Sequence, residues 1–174
     1  MTAEEFEQLP ETDRKLELNN GVVVEVEMAL AQHEKVKTEL NMLLAGALYR
    51  SAFVVSPEAM NRLADDVDRV PDLGIWRRTD LKRMDSSRTI VGGPLIAIEI
   101  VSSESARELD EKIRQYFAAG TQLVWVIYPS TRAIEVVRPD GSTRLNGDSS
   151  LEAPDLLPGL GIPVNAVFAL LDED

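Results

Sequence analysis

The chain has 174 residues, 44% hydrophobic and 28% charged, with a net charge of −12; that is the size of one domain, 1–174, able to bury a sizeable core. The absence of cysteine excludes disulfides, thiol nucleophiles and thiolate zinc sites, and the single histidine excludes H-E-x-x-H and multi-histidine cages. No run approaches ~18 apolar residues and the acidic start Met1-Thr-Ala-Glu-Glu-Phe6 is unlike a signal peptide, so a cytoplasmic protein with no membrane contact is expected.

Thr2-Ala-Glu-Glu5 has the form of a capping box, predicting a short helix that stops at Leu9-Pro10. Lys15-Leu-Glu-Leu18, the turn Asn19-Asn-Gly21 and Val22 to Met28 predict a β-hairpin. Val36, Leu40, Leu43, Leu44, Ala47 and Leu48 recur at helical spacing, so a long amphipathic helix is expected from Gln32 to Arg50. A strand at Ala52 to Val55, a segment from Glu58 to Leu63 and a turn over Ala64 to Asp68 follow, then a strand from Val70 to Trp76 and a loop over 77–93.

Leu95 to Val101 predicts a buried strand, and Ser105-Ala-Arg-Glu108 is a second capping box, opening a helix that ends at Gly120. Leu123 to Tyr128 repeats the buried-strand pattern, so strand, helix and strand form a parallel crossover. Ala133 to Val137 and the segment after Pro139-Asp-Gly141 add antiparallel strands, and the tail from Leu157 carries Pro158-Gly159 and a short apolar piece. The fold class expected is α/β, a mixed β-sheet flanked by helices.

Glu99 lies inside the otherwise apolar run Pro94 to Val101. In a strand covered on both faces its carboxylate has lost water and needs a cation or hydrogen-bond donors. A bound metal and a structural pair with Arg or Lys both satisfy that need. With cysteine absent and histidine single, carboxylates are the abundant ligands, suited to Mg2+, Mn2+ or Ca2+.

Asp72 is a second candidate, with a solvated strand aspartate beside Pro71 as the alternative. Lys112 flanks the inward stripe Leu109, Ile113, Tyr116 and Phe117, from where its ammonium either snorkels to water or reaches Glu99. Glu17 alternates with Leu16 and Leu18, which for an isolated glutamate points to solvent. His33, near the start of its helix, is either structural or available for phosphate binding or proton transfer.

The order Val-Pro-Asp72, then Ile-Glu99-Ile-Val, then a helix bearing Lys112 resembles the PD-(D/E)XK nuclease superfamily. Within it, the chain is most similar to the large bacterial family of proposed restriction endonucleases. The likeness runs through Thr2 to Phe6, Leu9-Pro10, Glu17 with Gly21, His33, Asp72, Glu99-Ile-Val-Ser102, Lys112 with Tyr116 and Gly120, Trp125, Pro129 and Leu157-Pro-Gly159. The resemblance implies a restriction-endonuclease-like fold and a metal-dependent DNA endonuclease, homodimeric by analogy. Asp72 and Glu99 would bind Mg2+ or Mn2+ together with the backbone carbonyl after Glu99. Lys112 would orient the attacking water, with Glu17 and His33 in supporting catalytic roles.

Two departures stand out: Val101 replaces the superfamily's usual lysine, moving that role to Lys112, and Leu123 and Tyr128 stand where acidic residues are common near the fourth strand. The acidity opposes a phosphate-rich partner, but the segment 77–88 is net positive by three, with Arg77, Arg78, Lys82, Arg83 and Arg88 against Asp80 and Asp85. That segment is a candidate DNA-contacting loop, or simply a solvated one. A nuclease fold kept as a protein-interaction or nucleic-acid-binding module is the rival reading. A carboxylate-pair glycosidase is disfavoured by Lys112 and by only 5% aromatic residues.

Overall fold

The computed structural model describes residues 1–26, 30–81 and 89–173. Thr2 and Glu5 form the expected capping box at helix α1 (Ala3–Glu7), and Asn20 and Gly21, both at positive φ, make the two-residue turn between β1 (Leu16–Asn19) and β2 (Val22–Glu25). Helix α2 (Ala31–Ala47) follows, burying His33, Val36, Leu40 and Leu44 on one side.

Next come β3 (Phe53–Pro57), β4 (Asn61–Ala64), β5 (Val67–Arg69) and β6 (Leu73–Arg77). Val67 and Asp68, expected in a turn, are strand residues, because the reversal is made by Asp65 and Asp66 alone. Val70, Pro71 and Asp72, expected in a strand, instead connect β5 to β6, which belong to different sheets. Pro71 has no N–H to give to a ladder, which suits it to this crossing. Within the expected loop over 77–93 lie a short helix α3 (Arg78–Leu81) and a short strand β7 (Ile90–Val91). Lys82, Arg83, Asp85 and Arg88 of that loop, and Met28 of the expected hairpin, lie outside the described residues.

The second half contains β8 (Ile96–Ile100), α4 (Ala106–Ala118), β9 (Leu123–Tyr128), β10 (Ala133–Arg138) and β11 (Gly141–Asn146). A ribbon of β12 (Ser150–Leu151) and β13 (Ile162–Pro163) and a short helix α5 (Val164–Val167) complete it. The α/β class holds, with the strands divided between two main sheets. One has the order β11-β10-β9-β8-β6-β3 and the other β2-β1-β5-β4-β7. In the first, β8 and β9 are parallel through the α4 crossover, while β6 runs antiparallel to β8.

The period-two alternation of β8 divides its side chains between two apolar layers. Ile96, Ile98 and Ile100 pack with Leu73, Ile75, Trp125 and Ile127 against α2 and the C-terminal segment. Ala97 packs on the opposite face with Val124, Val126 and the α4 residues Leu109 and Tyr116. Glu99 shares the parity of Ala97, so its carboxylate faces α4. Among the described residues no helix is long and apolar enough to cross a membrane.

The start of α4 is held by Ser105, whose hydroxyl accepts from the Glu108 N–H at 3.3 Å, while the Glu108 carboxylate accepts from the Ser105 N–H at 2.8 Å. Ser105→Ala is expected to lower stability by about 1 kcal/mol, read as a shift in the urea midpoint with an unchanged m value.

Candidate active site

Three carboxylates from three strand ends meet two cations and an imidazole in the space between the two sheets and α4. Leu73 pairs with Ile98, and continuing that register by one residue sets Asp72 opposite Glu99. Asp72 Oδ2 accepts the Ile100 N–H at 2.8 Å and faces His33 Nε2 at 3.0 Å. Burial alone would raise the Asp72 pKa, but the hydrogen bond and charge of His33, with the Ile100 N–H, outweigh it and hold the carboxyl below its ordinary value. Burial would conversely depress His33, and the bond to Asp72 and its charge bring it above its ordinary value. Asp72 and His33 thus each shift the other toward its charged form.

Glu99, 2% exposed, accepts a 2.6 Å hydrogen bond from the Tyr116 hydroxyl on Oε1 and lies 3.4 Å from Lys112 Nζ on Oε2. Lys112 and Tyr116 are four apart on α4 and so present adjacent side chains to the strand. Burial raises the Glu99 pKa most; Lys112 and Tyr116 lower it, while the charges of Asp72 and Glu17 add to the rise, leaving it at about 7. The charge of Glu99 raises Lys112, despite burial acting the other way. Burial, then the carboxylates, push Tyr116 well above a normal phenol, so it is a fixed donor.

Glu17 is buried, contrary to the solvent-facing reading of an isolated strand glutamate. Its Oε2 accepts from Arg69 Nη1 at 2.8 Å and its Oε1 from the Val70 N–H at 3.0 Å, with Lys112 Nζ 3.9 Å from Oε1. Arg69 Nε donates to Gln115 Oε1 at 2.8 Å, and Gln115 Nε2 donates to Asn19 Oδ1 at 2.9 Å. The hairpin, β5 and α4 are joined through this polar layer.

A model of the Uma2 family, described as putative restriction endonuclease, matches residues 3–165 of the chain. The chain belongs to the Uma2 family. Its fold is similar to the crystal structure of a putative nuclease belonging to DUF820 from Anabaena variabilis ATCC 29413. The TM-score is 0.88 at 22% identity, over 98% of this chain and 99% of that one. No curated protein matches the chain.

The stretch of this Uma2 chain covered by the family model contains every residue gathered in the site. Of the sequence candidates, Glu17, His33, Asp72, Glu99 and Lys112 come together. Arg77 and Arg78 do not: they stand at the other end of β6 from Asp72, about 16 Å away at the usual strand rise, and Arg78 Nε donates to the Ser51 carbonyl at 2.9 Å. Arg77 and Arg78 thus stand apart from the carboxylates rather than beside them, while Lys82 and Arg83 are outside the described residues. Sequence reasoning missed Arg69 altogether and gave Tyr116 a place in the apolar stripe and in the family likeness but no role at Glu99. The excess of buried carboxylates over Lys112 was the one signal pointing to a further buried cation.

Two buried carboxylates at the end of adjacent strands form an all-oxygen, anionic donor set suited to a hard divalent cation. Asp72 Oδ1 takes no hydrogen bond from the described residues, and the contact of Lys112 with Glu99 is long for a charged pair. Glu17 has both oxygens engaged. Among the described residues no three His, Asp or Glu side chains form a ready-made cage. An ion here would thus depend on water or substrate oxygens besides Asp72 and Glu99, as Mg2+ commonly does.

The Glu99 pKa generates a pH dependence in metal-free protein. Because its folded value, about 7, lies above the unfolded value, its contribution to stability is complete below about 4.5 and is lost as pH rises through 7. Relative to wild type, Glu99→Gln is expected to gain up to about 3 kcal/mol between pH 5 and pH 8. Urea unfolding of both proteins in EDTA at the two pH values measures it; equal shifts at both would show that Glu99 titrates normally.

Proposed function

We propose that this Uma2 protein is a Mg2+- or Mn2+-dependent endonuclease that hydrolyses DNA phosphodiester bonds. The observation supporting this reading is that Asp72 and Glu99 lie at adjacent strand ends with the Lys112 ammonium at their side, brought in by the following helix. Asp72, Glu99 and the backbone carbonyl after Glu99 would hold the cation. A bound divalent ion supplies neutralisation of the phosphate oxygens and a lower pKa for the attacking water.

The chain's own groups have separate tasks. His33 keeps Asp72 ionised and oriented through the 3.0 Å contact. Tyr116 fixes one oxygen of Glu99 and leaves the other to face Lys112. Lys112 then positions the attacking water and stabilises charge that develops on the phosphorane-like transition state, as a preorganised cation in a dry site. Glu17, held by Arg69 and the Val70 N–H, acts on Lys112 by its charge rather than on the ion.

A net charge of −12 makes the affinity for DNA weak and salt-sensitive. A homodimeric, cytoplasmic enzyme formed from a single domain is the state proposed for this activity. The second reading, an inactive nuclease fold serving interaction, draws on the fact that Tyr116 and Lys112 between them partner both oxygens of Glu99.

Asp72→Asn and Glu99→Gln are each expected to weaken Mn2+ binding measured by calorimetry and to abolish plasmid nicking. Lys112→Met should retain Mn2+ and lose at least about 100-fold in kcat. Cleavage unchanged by Asp72→Asn and Glu99→Gln would remove this site from the reaction, and a folded wild type that binds no Mn2+ and cuts no DNA would leave the interaction-module reading.

A further inference from the structure

Lys112 lies between two carboxylates that compete for it. Its Nζ is 3.4 Å from Glu99 Oε2 and 3.9 Å from Glu17 Oε1. Among the described residues Glu17 has no other cation within reach except Arg69, which donates through Nη1 at 2.8 Å and is itself buried, with its side chain 5% exposed. The guanidinium cannot drift, because Nε is spent on Gln115 Oε1 at 2.8 Å, and the Gln115 amide is in turn oriented by its 2.9 Å bond to Asn19. Gln115 and Lys112 are three apart on α4 and therefore on the same side of it. Arg69 is thus held by the same helix that delivers the lysine.

We propose that Arg69 is a positioning residue: by neutralising Glu17 it leaves the Lys112 ammonium to Glu99 and to the scissile phosphate. Without that guanidinium, a buried Glu17 carboxylate with only the Val70 N–H as partner would attract the nearest cation, which is Lys112. The ammonium would then turn from Glu99 toward β1. Arginine suits the task because its planar donors engage Glu17 and Gln115 together, whereas lysine supplies the charge alone. The catalytic part of this assignment rests on the nuclease reading above; the placement of Lys112 by Arg69 does not.

The test uses R69Q, R69K and the double variant E17Q/R69Q of the full chain, with crystal structures and steady-state plasmid nicking in Mn2+. In R69Q, Lys112 Nζ is expected within hydrogen-bonding distance of Glu17 and away from Glu99, with kcat lower by about 10-fold or more and KM little changed. In E17Q/R69Q, where the competing charge is gone, Nζ returns to Glu99 and kcat recovers relative to R69Q. A purely structural arginine predicts instead that the second substitution adds to the damage. R69K, which keeps the charge, should retain Lys112 on Glu99 and lose less than R69Q; should R69Q not fold, R69K and the double variant decide. Lys112 still on Glu99 in R69Q, or displaced in R69K or the double variant, overturns the proposal. So does a double variant no better than R69Q. Absence of nicking by wild type removes the nuclease reading, and the position of Nζ still settles Arg69.

Discussion

The burial of one carboxyl, that of Glu99 near the C-terminal end of β8, imposes most of what surrounds it. A charge there is costly because water is excluded, and only close donors make it tolerable. Both donors come from α4, as the Tyr116 hydroxyl and the Lys112 ammonium, and they reach Glu99 because residues four apart share a helix face. The helix must therefore start at Ser105 and lie across β8 and β9, which its capping box and its apolar residues Leu109 and Tyr116 secure. Packing and electrostatics act on the same helix.

The division of strands between two sheets is the second constraint. The chain leaves one sheet after Arg69 and enters the other at Leu73, so three connecting residues set the position of Asp72 beside Glu99. That connection is pinned at both ends. The Val70 N–H donates to Glu17, and the Ile100 N–H donates to Asp72. Backbone groups that have no ladder partner at the crossing are satisfied by the site's own carboxylates, so the fold's boundary and the site are one set of hydrogen bonds.

The charge distribution bears on function more than the total does. The described cations nearest the carboxylates, His33, Arg69 and Lys112, are all engaged with them. Arg77 and Arg78 stand at the far end of β6. The ammonium of Lys112 has the loosest hydrogen bond in the cluster, 3.4 Å to Glu99, and Lys15 adds a further positive charge near Asp72. A polyanion could be held at this site only if the carboxylates shared a cation with it.

The sequence by itself determined the local elements and the suspicion attached to Glu99. Capping boxes at Thr2 and Ser105, the Asn-Gly turn and the apolar runs of β8 and β9 depend on neighbouring residues, whose physics is local. Asp72, Lys112 and Glu17 stood out by their places in strand and helix patterns, and the family likeness gave them, with His33, roles in one site. Tertiary structure alone decided that Glu17 is buried, that Asp72 stands at a crossing between sheets, and that Arg69 rather than Lys112 neutralises Glu17. Glu17 and Arg69 are 52 positions apart, and no periodicity encodes a contact of that range. Arg77 and Arg78 show the same limit in reverse: adjacent in sequence to the Asp72 strand, they are carried away from the site by the length of the strand itself.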